Sequence, residues 1–243
     1  MSEQTPYLSA VVTSRNDDHG GNLLPRMQVF TSAFIEQCKR HGLAAELIVV
    51  EWNPPPKRPS LADALRWPQD PGPCRVRLIR VPPEIHRRLR HAEALPLFQM
   101  IAKNAGIRRA RGRFVLSTNI DILFSDELMR FLASGTLEPG RMYRIDRHDV
   151  LPDVPVDAPV EEQLAYCERH LLRVNTLEGT FRVEPEGLWQ LDPEDIAGKD
   201  SGIRLGRGWY PPYADVGIPY RWAHTEAEII VLPDGSPGSG LVV

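Results

Sequence analysis

Ala102-Lys-Asn-Ala-Gly-Ile-Arg-Arg-Ala-Arg-Gly-Arg-Phe-Val-Leu-Ser-Thr-Asn-Ile-Asp121 is the stretch that decides the fold. It reads as the end of a helix, a basic glycine-bearing turn, a short strand at Arg113 to Leu116, and a polar strand end. A carboxylate just past a buried strand, followed by another short apolar run, is a common way to hold a metal ion against a diphosphate. Working backwards, apolar residues at Ala94, Leu97, Phe98, Ile101, Ala102 and Ala105 predict a helix from about Ala94 to Ala110, with Pro96 in its first turn.

The same alternation runs through the preceding hundred residues. Leu8-Ser-Ala-Val-Val12 reads as a buried strand. The polar loop Thr13 to Asn22 follows, with His19-Gly20-Gly21 in it. A helix with Asn22 as its N-cap carries the stripe Leu23, Met27, Phe30, Phe34 and Cys38 and stops at Gly42. Glu46 to Val50 reads as a second buried strand. Arg75 to Val81 alternates, which suits a half-exposed or edge strand. A short helix at Asp126 to Leu132, capped by Ser125, and a fifth strand at Arg141 to Ile145 complete the expectation. This order predicts an α/β domain with a largely parallel, Rossmann-like sheet and helices on both faces.

Past residue 150 the pattern becomes irregular. One helix (Glu161 to Arg173) and strand-like runs at Thr180 to Val183, Leu188 to Leu191, Tyr220 to Trp222 and Glu228 to Leu232 predict a smaller α+β region. The division expected is 1–150, 151–232 and a turn-rich tail at 233–243.

The totals bound the function. The chain has 243 residues, 42% hydrophobic and 25% charged, with a net charge of -3. That balance gives no reason to expect nucleic acid as a partner. Three scattered cysteines suggest a reducing compartment, and no signal peptide or membrane span is expected, so a cytoplasmic location is the default. The 23 prolines gather in loops at 53–59, 68–73 and 152–159.

In open α/β sheets, ligands bind beyond the carboxyl ends of the strands. Those ends supply Thr13, Ser14, Arg15, Asn16 and Asp17 from the first strand, Glu51 and Asn53 from the second, and Thr118, Asn119 and Asp121 from the fourth. Asn104 shares the stripe of Leu97 and is expected to point inward, whereas Lys103 lies off it. Asp121 is the metal candidate, with Asn119 as a neutral oxygen, and Mg²⁺ or Mn²⁺ as the ion. In the second half, Trp209-Tyr210, Trp222-Ala-His224 and Glu226-Ala-Glu228 suit either a sugar-binding surface or a small core. His224 is the weak candidate for a catalytic role.

Leu8 to Asn16, Glu46 to Asn53 and Ala102 to Asp121, in that order, resemble the nucleotide-binding half of GT-A glycosyltransferases of the family-2-like group. The resemblance covers about residues 7 to 146. The closer pattern, Ser14-Arg-Asn-Asp with His19-Gly-Gly-Asn22 and Val50-Glu-Trp-Asn-Pro-Pro55, resembles a bacterial subgroup of it. It implies a nucleotide-diphosphate sugar as donor and a glycan or small molecule as acceptor. By position it implies that Thr13 to Asp17 border the base and ribose, that Glu51 meets them, and that Lys103 and Asn104 lie near the nucleotide. It also implies that Asn119-Ile-Asp121 stands where the family has a D-x-D metal motif. Two departures are visible: Glu51-Trp52 stands for a frequent pair of acids, and Asn119 for the first metal-motif acid. No catalytic-base motif can be matched in 150–243. The alternatives are a non-catalytic nucleotide- or glycan-binding protein and a nucleotidyltransferase.

Overall fold

In the computed structural model, residues 5–18, 21–177, 179–184, 187–190 and four further short strands are described. The chain divides into two compact units: residues up to Arg141 with Pro155–Ala165, and Met142–Val154 with the chain from Tyr166 onward.

The first unit is built on a four-stranded sheet. Its strands are β1 (Leu8–Ser14), β2 (Ala45–Trp52), β3 (Cys74–Val81) and β4 (Phe114–Ser117). The order is β3-β2-β1-β4 and every pair is parallel. β1 and β2 are buried at every position, as central strands covered on both faces must be. β3, the alternating run, lies at an edge, as its pattern predicts.

Alternate side chains of the central strands feed two cores. Leu8, Ala10, Val12, Leu47 and Val49 pack with Met27, Phe30, Phe34 and Cys38 of α1 (Leu23–His41) and with Met129 and Leu132 of α5 (Asp126–Ala133). Val11, Ile48, Val50 and Trp52 pack with Ala102 of α4 (Gln99–Ile107). Helices therefore cover both faces. The whole predicted stripe of α1 is buried. Gly42 ends α1 in the left-handed conformation, its N–H reaching Cys38 and Lys39 oxygens. Ser125 caps α5 by accepting from Leu128 N.

Asn22 stands at the N-cap of α1, but its side chain makes no capping bond. Asp18 does that work, its Oδ1 accepting from Leu23 N at 3.0 Å. Its backbone is left-handed (φ 61°), a conformation that aspartate tolerates better than most residues. Asp18→Ala should therefore destabilise by about 1 kcal/mol, and Asn22→Ala by clearly less. Equal losses in urea titration would contradict this assignment.

Helix α4 starts at Gln99 rather than at Ala94. Pro96 disfavours a helical Leu95, and the Pro96 oxygen is held by Arg15 Nη1 and Asn53 Nδ2, each at 3.0 Å. The segment before α4 is thus fixed as a loop over the ends of β1 and β2. The inward line of α4 is Ala102 and Gly106, which turns Asn104 out to solvent. The inward placement expected for Asn104 is corrected accordingly. Short helices α2 (Leu61–Ala64) and α3 (Pro83–His86) fill the connections on either side of β3.

Arg141 to Ile145 is not a strand. The fifth strand is β5 (Arg147–Val150), placed by antiparallel pairing with β6 (Leu171–Asn175). β6, β7 (Thr180–Glu184) and β8 (Gly187–Gln190) continue this second, antiparallel sheet in the order β5-β6-β7-β8. Helix α6 (Val160–Arg169) stops before Leu171. The apolar spacing of Leu171 and Leu172 continues the helix period, and this hid β6 in the sequence. Two antiparallel pairs, β9 (Ile203–Leu205) with β12 (Ile229–Val231) and β10 (Tyr213–Asp215) with β11 (Ile218–Tyr220), are also formed. His224, Trp209, Tyr210, Trp222, Glu226, Glu228 and the tail at 233–243 lie outside the described residues. Among the described residues, no helix is long and apolar enough to cross a membrane.

Candidate functional site at the carboxyl edge of the parallel sheet

The order β3-β2-β1-β4 has its topological switch point between β1 and β4. The chain winds outward from β1 to β3 on one side, then returns through α4 to place β4 on the other. At such a point the loops after the two strands part and leave a crevice at their carboxyl ends. Helices run back against the strands they connect, so the N-terminal turns of α1 and α4 reach the same edge. The residues to be weighed are those after β1, those after β4, and those in these first turns.

After β4, Thr118 N continues the ladder onto Val11 O at 3.1 Å. Ile120 and Phe124 are buried in the core, and Gln37 Nε2 donates to the Phe124 oxygen at 2.8 Å. Asn119 and Asp121 are held on this anchored segment. Asn119 Oδ1 accepts from Lys103 Nζ and from Gln99 Nε2, each at 3.1 Å. Asp121 Oδ2 accepts from Arg26 Nη1 at 3.0 Å. Lys103 is half-buried, and desolvation pushes its ammonium below the usual lysine range. The Arg26–Asp121 pair is partly exposed on both sides. Such a pair contributes at most about 1 kcal/mol and exchanges partners readily.

After β1, Thr13 and Ser14 are buried, and Thr13 Oγ1 donates to Val50 O at 3.1 Å. Both support the edge rather than face outward from it. Arg15 lies 3.2 Å from Asp17 as an ion pair and holds Pro96 O. Asn16 is 2% exposed. Its Nδ2 donates to Pro59 O at 2.9 Å, and its Oδ1 has no hydrogen-bond partner among the described residues. A buried amide oxygen left unpaired is uncommon enough to require an explanation.

After β2, Glu51 is buried, and its Oε1 accepts from Leu61 N at 2.8 Å, at the start of α2. Asn53 takes a left-handed backbone (φ 47°) and shares Pro96 O with Arg15. Asn16, Glu51 and Asn53 therefore tie the loops after β1 and β2 to one another. Lys103, Asn119, Asp121 and Arg26 form a second group at the end of β4.

Sequence reading missed Arg26 and Gln99. Gln99 was hidden because the helix was expected to start five residues earlier. Arg26 carried a signal: it lies in the first turn of α1, where an acid would be the ordinary choice.

Whether this group suits a divalent cation turns on its donor set. Asn119 Oδ1 already accepts from an ammonium, and the Asp121 carboxylate is paired with a guanidinium. A dication on Asn119 Oδ1 at about 2.1 Å would sit no more than about 5 Å from Lys103 Nζ. Their repulsion would be about 6–7 kcal/mol at an effective dielectric of 20. Among the described residues, no three His, Cys, Asp or Glu side chains gather as a metal site. As arranged, this corner does not fit a divalent ion and does fit an anion.

The chain matches no known family model, no curated protein and no solved structure.

Proposed function

We propose that the protein is a glycosyltransferase that moves a sugar from a nucleotide-diphosphate sugar to an acceptor. The observation that carries this reading is the switch point between β1 and β4. It has polar residues from β1 (Arg15, Asn16) on one side and Lys103, Asn119 and Asp121 on the other. An elongated ligand with a base at one end and a diphosphate at the other matches that distribution. Asn16 Oδ1, without a hydrogen-bond partner among the described residues, suits an N–H donor such as a nucleobase offers, and the cationic side chains suit phosphate oxygens. The resemblance of residues 7 to 146 to GT-A glycosyltransferases supports the same assignment.

In the transfer, the bond from the anomeric carbon to the phosphate oxygen breaks and its electron pair leaves on the diphosphate. The acceptor atom bonds the anomeric carbon and releases its proton. Stabilising the departing negative charge is the task of groups already oriented towards it.

One observation favours a second reading, a non-catalytic nucleotide- or glycan-binding protein. Asn119 stands where an acid is frequent, and its oxygen is engaged by Lys103 and Gln99. A single experiment separates the two. The purified chain is incubated with UDP-, GDP-, CDP-, ADP- and dTDP-sugars, and nucleoside diphosphate release is followed against a heat-inactivated control. The enzyme reading expects slow release from one donor class through transfer to water. Binding without any release would favour the second reading.

A further inference from the structure

We infer that Lys103 and Arg26 supply the positive charge for the diphosphate in place of a divalent cation, so that nucleotide binding by this protein is independent of metal. This rests on the nucleotide-diphosphate reading given above.

The first observation is contact. Both side chains that would ligate a metal already carry a cation, Asn119 Oδ1 Lys103 at 3.1 Å and Asp121 Oδ2 Arg26 at 3.0 Å. An amide at 119 is consistent with this. A carboxylate beside Lys103 would neutralise it, whereas an amide orients the ammonium and leaves its charge available to a ligand. Gln99 gives the same oxygen a second donor and so fixes the amide.

The second observation is the charge pattern of the helices. The positive end of a helix macrodipole favours acids in the first turn. Helices α2, α3, α5 and α6 follow this rule with Asp63, Glu84, Asp126 with Glu127, and Glu161 with Glu162. Helices α1 and α4 have no acid in the first turn. They carry cations near their positive ends instead, Arg26 in the first turn of α1 and Lys103 one turn into α4. These are the two helices whose first turns contact Asn119 and Asp121, through Gln99 and Arg26. Adding cations to a positive helix end is unfavourable by itself, and an anion bound between them reverses the sign.

The third observation is the strength of the present pairs. Arg26–Asp121 is a partly exposed ion pair, so giving up this contact for a phosphate sacrifices at most about 1 kcal/mol. A guanidinium can also contact phosphate through two parallel N–H groups.

The experiment is calorimetric titration of the full chain with UDP, GDP, CDP, ADP and dTDP, each with EDTA and again with Mn²⁺ or Mg²⁺. Binding of at least one nucleotide with the same affinity in EDTA and in metal is expected. Lys103→Ala and Arg26→Ala should each weaken it by about 10- to 100-fold, the size of one charged hydrogen bond. Lys103→Arg should recover most of the loss. Asp121→Asn should leave affinity within about fivefold or improve it. Melting curves of the free variants report whether each is folded. Binding that needs metal and is abolished by Asp121→Asn would overturn this inference and leave the nucleotide reading standing. Absence of binding under both conditions would overturn both.

Discussion

Glu46→Ala is expected to destabilise the protein by about 3–5 kcal/mol, the usual cost of removing one partner from a buried charge network. Glu46 is 1% exposed near the start of β2, at the edge of the sheet opposite the candidate site. Its Oε1 accepts from Ser9 Oγ at 2.6 Å and from Arg111 N, and its Oε2 from Arg77 Nη1 at 2.8 Å. Ser9 Oγ in turn accepts from Gly112 N at 2.8 Å. One carboxylate thus joins β1, β2, β3 and the turn that leads into β4. Burial alone would raise its pKa, but the bonds from Ser9, the Arg111 N–H and Arg77 outweigh it and hold the group below the usual glutamate value.

The sign of the pH dependence follows. A carboxyl whose folded pKa is depressed contributes stability above its unfolded value of about 4.3, and that contribution is lost as pH falls through the folded value. Urea titrations between pH 7 and pH 3 should show wild-type stability falling below about pH 4, and Glu46→Gln should flatten that fall. A Glu46→Ala loss below about 1 kcal/mol at pH 7 would contradict this role.

Gly106→Leu is the second large effect. A Cβ at Gly106 would meet Val11 Cγ1 at 2.5 Å and Val50 Cγ2 at 3.0 Å. Both valines are fully buried in central strands and cannot retreat without moving the sheet. Overpacking of this kind costs about 1–3 kcal/mol or more, and Leu adds far more than a Cβ. The same change pushes α4 off the sheet, with Gln99 and Lys103 on it. The variant should therefore lose stability and also loosen the hold on Asn119. Gly106→Ala should show both effects in reduced form. Equal melting temperatures for wild type and Gly106→Leu would mean that α4 does not lie against Val11 and Val50.

The comparison of these two sites shows what a sequence reveals. The strands β1 and β2 and the helix α1 were legible because burial on two faces, or on one stripe, leaves a pattern in the chain itself. Gly106 was not: a glycine chosen for close approach resembles a glycine tolerated in a helix, and the apolar count placed Ala105 and Asn104 inward instead. The register of α4 was decided by contact with Val11 and Val50, which are far away in sequence. Glu46 read only as the polar start of a strand, because its partners come from three other segments.

The candidate site divides in the same way. Its location at the ends of β1 and β4 was legible from strand order and polarity. Its electrostatic character was not, because Asn119 and Asp121 resemble a cation site until Lys103 and Arg26 are seen on their oxygens. Expected members also changed roles. Lys103, expected near the nucleotide by resemblance alone, stands on Asn119, and Asn104, expected to point inward, is exposed. Thr13, Glu51 and Asn53 hold the loops together.

The central claim, that a nucleoside diphosphate occupies the switch point between β1 and β4, is tested most directly by hydrogen–deuterium exchange. Backbone exchange is compared with and without the tightest-binding nucleotide. Protection is predicted in residues 15–18, in 118–122 and in the first turns of α1 and α4, with the amino edge around Glu46 and Arg111 unchanged. Protection confined to other segments, or no protection from any of the five nucleotides, would contradict the account.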